Sequence, residues 1–191
     1  YQRNGFMYFA DLRSTADSVK SRSELLDLVK TLSRDATFLA HLKVSAKSDI
    51  ESLVNYWGRG GRSMEVRPIL ESLLQKGGDQ RINIMHLLPQ LPRRMLYTYQ
   101  AYSDTDEAQR RDCNWTVVNF FNETPNDRFC DPKEVVALLR KDYYQIPDKS
   151  QLGDIAIVLD SKNMSVHSAV YIADDIFFHR CGPGSSAPWT L

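Results

Sequence analysis

One segment near the end of the chain has little freedom in how it folds. Val166 to Ala173 (Val-His-Ser-Ala-Val-Tyr-Ile-Ala) and Ile176 to Arg180 are two runs of β-branched and aromatic residues separated only by Asp174-Asp175. Such runs around a short acidic break read as a β-hairpin. A three-residue loop, Ala173-Asp174-Asp175, would set Ile172 across from Ile176 and Ala169 across from His179. His167 would then share a face with His179 and lie diagonal to it, within about 7–8 Å at Cβ. A two-residue loop would turn His179 to the opposite face, because a shift of one residue inverts every side chain.

A second feature gives that face a chemical meaning. Asp112 precedes the apolar run Cys113-Asn-Trp-Thr-Val-Val-Asn-Phe-Phe121. Asp is a strong N-cap, so Cys113 should open a helix. There the helix dipole and unpaired backbone N–H groups favour a thiolate. A thiol nucleophile with an imidazole partner is the minimum equipment of a cysteine hydrolase.

The ordered set Asp112-Cys113, Gly153-Asp154-Ile-Ala-Ile-Val158 and His167-Ser-Ala-Val-Tyr-Ile-Ala-Asp-Asp-Ile-Phe-Phe-His179 resembles the NlpC-type cell-wall cysteine peptidases. The resemblance covers roughly the last 80 residues. It implies a papain-like core with Cys113 as nucleophile, His167 as general base and His179 as the residue orienting His167. It further implies an amide bond in peptidoglycan stem peptides as the target, no cofactor, and a periplasmic, secreted or cell-envelope location. Two departures stand out: Asn114-Trp115 follows the cysteine where the family has Ser-Gly, and Ala169 replaces a strand glycine. A Trp beside the nucleophile would reshape the cleft, so Asn114 and Trp115 are candidate substrate-binding residues. By the same resemblance a tyrosine before the cysteine shapes the cleft; Tyr102 is the first candidate and Tyr99 the second.

At 191 residues the chain can bury a real core, and 24 Lys plus Arg balance 24 Asp plus Glu. Zero net charge removes bulk attraction to nucleic acid or anionic membrane, and no apolar run approaches a membrane span. The chain starts at Tyr1, which reads as a mature or trimmed form. Ser21-x-x-Glu24 and Ser48-x-x-Glu51 are capping boxes ahead of helical patterns (Leu25, Leu28, Val29, Leu32; Ile50, Leu53, Val54, Trp57). A third helix is expected from near Pro68 to Gly77-Gly78. Gly58-Arg59-Gly60-Gly61-Arg62 lacks the ending of a phosphate loop and reads as a helix stop. Pro89 and Pro92 break the chain, Ser103 to Asp112 is polar, and Asp131-Pro132-Lys133-Glu134 opens another helix. Strands are expected at Asp154–Leu159, Val166–Ala173 and Ile176–Arg180.

Helices first and strands afterwards argue an α+β fold: a helical N-terminal region over 1–102 and a catalytic domain over 103–191. Two alternatives stay open on the residues. Cys113, His167, His179 and Cys181 are a zinc-type ligand set without a compact zinc spacing. The chain also fits an inactive fold used as a binding module. Cys130 and Cys181 read either as a disulfide or as two ordinary thiols.

Overall fold

The computed structural model describes residues 2–3, 6–7, 18–32, 38–100, 111–147, 149–180 and 188–191. It is a mixed α+β structure whose strands pair antiparallel. The chain divides into two compact units, Tyr1–Ala36 and Thr37–Leu191.

The first unit holds the strands β1 (Gln2–Arg3) and β2 (Phe6–Met7), paired antiparallel, and the helix α1 (Arg22–Leu32). Ser21 Oγ accepts from the backbone of Glu24, as its capping box requires.

The second unit begins with β3 (His41–Val44), α2 (Ile50–Trp57), α3 (Ser63–Gln75), β4 (Gln80–Asn83) and α4 (Gln90–Met95). The cap of α2 is Asp49, whose side chain accepts from Ser52 N at 3.1 Å; Ser48 is instead turned back to accept from Ser45 N. Asp wins because its neighbour's hydroxyl is already used. α3 starts five residues ahead of Pro68, which therefore lies inside it. Pro92, by contrast, falls in the first turn of α4, where a missing N–H costs little. β3 and β4 pair with each other, so the region 1–102 is not purely helical. Residues 38–100 also lie in the same compact unit as the later sheet: the change of periodicity near residue 102 is a change of element type, and the division by compactness falls at 36/37.

The rest of this unit is α5 (Cys113–Val118), α6 (Pro132–Asp142) and a four-stranded sheet of β5 (Ile155–Leu159), β6 (Ser165–Ala173), β7 (Ile176–Arg180) and β8 (Trp189–Thr190), in that spatial order. β8 has no strand-like run of its own and forms because Arg180 pairs with Trp189. The core joins α2 and α3 (Val54, Trp57, Val66, Leu70) to α5 (Trp115, Val117) and the sheet (Val170, Ile172, Phe178, Trp189). Phe121, just past α5, is gripped between two glycines. A Cβ at Gly60 would come within 2.4 Å of its ring and one at Gly153 within 2.3 Å. Both glycines have positive φ (+73° and +93°), which suits residues without a side chain. Gly153, the residue entering β5, therefore packs on the segment that follows the Cys113 helix. Among the described residues no helix is long and apolar enough to cross a membrane.

Candidate active site

α5 begins at Cys113, as the cap requires. Asp112 is extended and its carboxylate accepts from Trp115 N at 2.8 Å. Its backbone carbonyl accepts from Thr116 N and from Thr116 Oγ1. The helix is short and ends at Asn119, which is completely buried and knits the following loop. Its Oδ1 accepts from Asn126 N and Asn122 Nδ2, and its Nδ2 donates to Trp115 O.

The hairpin brings the two histidines together. His167 Nε2 lies 3.0 Å from His179 Nδ1, with ring planes near perpendicular at 84°. One proton lies between the two nitrogens, and with His167 Nε2 turned to His179, His167 Nδ1 points elsewhere. Burial first, then the adjacent His167, lowers the pKa of His179 below its ordinary 6.5.

The turn is not the expected one. Ala173 pairs with Ile176, closing a two-residue turn at Asp174-Asp175. Further along, Tyr171 pairs with Phe177 and Val170 with Phe178, so Ile172 is an extra residue in β6. This bulge restores the register that a two-residue turn alone would have lost. Continuing the pairing sets Ala169 across from His179, with His167 on the diagonal.

A side-chain hydrogen bond joins helix and hairpin, Ser168 Oγ donating to Asn114 Oδ1 at 3.0 Å. Cys113 and His167 are each the residue preceding a member of that pair. The sheet row against α5 is Ser168, Phe178, Arg180 and Trp189; the imidazoles belong to the alternate row. Cys113 is half-buried and is a free thiol. Among the described residues its sulfur makes no hydrogen bond to either ring.

Arg180 is a residue the sequence reading passed over. It is completely buried and its guanidinium donates to Gln100 Oε1 and to the backbone carbonyl of Arg111. It also stacks on Trp189 at 4.6 Å. It thus ties β7 to the chain entering α5. Burial lowers its pKa to about 10, against the attraction of Asp112 and Cys113. The available signal was parity: Phe178 and Arg180 share the core row.

Trp115 is a correction. It is 0% exposed; its Nε1 donates to Asp127 Oδ1 at 3.0 Å, and it packs against Trp189 and beneath Arg111. It is a core residue and lines no cleft, because position three of this helix faces the sheet. Asn114 is half-buried and spends its carbonyl oxygen on Ser168. Tyr99 is half-buried and bridges to Pro188. Tyr102 and Cys181 lie outside the described residues, as does the polar stretch 103–110. Cys130 is a free thiol whose pKa burial pushes up to about 11. No group of three or more His, Cys, Asp or Glu among the described residues is arranged to hold a metal ion.

Compared with known proteins, the chain matches no family model, no curated protein and no solved structure.

Proposed function

We propose that the unit carrying α5 and the sheet is a cysteine peptidase or amidase of the NlpC type, with a papain-like arrangement of helix and antiparallel sheet. The observation that carries this reading is the 3.0 Å contact between His167 Nε2 and His179 Nδ1, on a strand whose Ser168 bonds Asn114, the residue after Cys113. A ring held at Nε2 by an orienting partner has its Nδ1 available as a base.

His167 Nδ1 takes the proton from the Cys113 thiol as sulfur attacks the amide carbonyl. The N–H of Cys113, in the first helical turn, serves as one oxyanion donor in this reading. The C–N bond breaks as His167 returns the proton to the leaving amine, leaving a thioester. Water, losing a proton to His167, then attacks the thioester and releases the acid and the free thiol. The sulfur-to-imidazole hydrogen bond forms when substrate is bound, as catalytic contacts in empty sites tighten on binding. Peptidoglycan stem peptides are the substrate this reading selects, which places the protein in the cell envelope or outside the cell. No nucleic acid takes part.

Incubation of the chain and of Cys113→Ala with purified muropeptides tests it. Loss of cleavage in Cys113→Ala, with the melting temperature nearly unchanged and Cys181→Ser still active, is the expected result. A Cys113→Ala chain that still cleaves rejects it. One observation favours the rival, a binding module without catalysis: among the described residues no hydrogen bond joins Cys113 to an imidazole. A wild-type chain that binds muropeptides without cutting them, and whose Cys113 resists iodoacetamide at neutral pH, would establish that rival.

A further inference from the structure

We propose that Tyr56, on α2, is a positioning residue for the imidazole pair: it holds the bulge at Ile172 that brings His167 and His179 to the same face of the hairpin. The inference rests on the role given above to that pair.

If β7 continued in the pairing that Ala173 and Ile176 begin, His179 would lie across from Val170, on the row away from His167. Leaving Ile172 unpaired shifts every later pair by one residue, and the rings meet. The hydrogen bond between the histidines therefore exists only while the bulge does.

A bulge removes a residue from the ladder, and a buried carbonyl deprived of a partner destabilises the conformation that contains it. Ile172 is 0% exposed, so water cannot take that place. Its carbonyl instead accepts from Tyr56 Oη at 2.8 Å. The Tyr56 ring is braced edge-on by Trp57 at 5.5 Å, and Trp57 is itself in the core. On the other side of β6, Tyr171 is fixed by Gly153 N donating to its carbonyl and by its own N–H donating to Asp154 O. The ladder is thus pinned at 171 and the extra residue is confined to 172. Burial, with smaller contributions from Tyr171 and Asp174, raises the Tyr56 pKa to about 12. The phenol keeps its donor proton across the neutral range.

The test is Tyr56→Phe in the full chain, read by nitrogen NMR of the histidine rings well below the melting transition. Wild type should show 15N–15N coupling across the hydrogen bond between His167 Nε2 and His179 Nδ1. Tyr56→Phe should lose that coupling and show an upward shift of the His179 titration midpoint. Both readouts are independent of any peptidase activity, so failure of the hydrolase reading does not obscure them. A role in stability alone would lower the melting temperature and leave the native-state coupling intact. Tyr56→Phe rings that keep the wild-type coupling overturn the inference.

Discussion

His167 and His179 are hydrogen-bonded at 3.0 Å across a hairpin whose turn contains only Asp174 and Asp175. Asp174 takes the left-handed conformation, φ +51°, and Ile172 absorbs the odd residue. The partnership of the rings is therefore a property of the whole hairpin, and its removal should be graded. Under the proposed mechanism His167→Ala should lower turnover by about 10²–10⁴-fold, the usual worth of a positioned acid–base group. His179→Ala should lower it by less, because an orienter carries no proton to substrate. His179→Asn or Gln should recover part of the loss, since either amide can hydrogen-bond an imidazole nitrogen. Steady-state kinetics on a muropeptide substrate checks the ordering, and full turnover in His179→Ala would leave only a Cys113–His167 dyad.

Stability should depend on pH through the same residue. Burial, then His167, makes the folded His179 bind its proton less readily than the unfolded ring does. Below the ordinary value of 6.5 the unfolded chain takes up more protons than the folded one, so stability present above that value is lost as pH falls through the folded pKa. The melting temperature should fall between pH 7 and pH 5, and His179→Gln should flatten that slope. Asp49 and Glu51, whose pKa values are held below the carboxylate range by Ser52 and Arg67 respectively, act only at more acid pH. An equal slope in wild type and His179→Gln would remove His179 from the account.

The cap at Cys113 can be weighed separately from the chemistry. Asp112→Ala removes the acceptor of Trp115 N and should cost about 1 kcal/mol. For a chain of this size that lowers the melting temperature by about 2–4 °C. Asp112→Asn should restore most of it. Thermal unfolding followed by circular dichroism decides, and an unchanged melting temperature in Asp112→Ala would mean that the α5 start is held by its other contacts alone.

The Phe121 clamp predicts a non-additive pair. Gly153→Ala places a methyl group within 2.3 Å of the Phe121 ring at a φ of +93°. The strained backbone should cost about 1–2 kcal/mol and the overlap about 1–3 kcal/mol more. Phe121→Ala in that background should recover the overlap share and leave the backbone share. A double-mutant cycle in urea measures the coupling. Additive losses would show that ring and glycine do not interact.

Local signals in the chain located part of its elements. Asp112 and Asp131, each followed by a helical run, mark the starts of α5 and α6 because a short carboxylate satisfies N–H groups that the helix itself cannot. Alternation located β6 and β7 to within a residue, because the pleat forces a period of two on any half-buried strand. The choice between Ser48 and Asp49 as a cap was not legible, since both are good caps and their relation to Ser45 and Ser52 decided it. The burial of Trp115, the strand at Trp189–Thr190 and the inward guanidinium of Arg180 depend on which face of each element meets another, and composition does not carry that information. The meeting of His167 and His179 lies between the two. Sequence placed the rings on adjacent strands, but their common face required a bulge at Ile172. Its carbonyl is satisfied by Tyr56, 116 residues earlier in the chain, and a partner so distant exists only after the fold has formed.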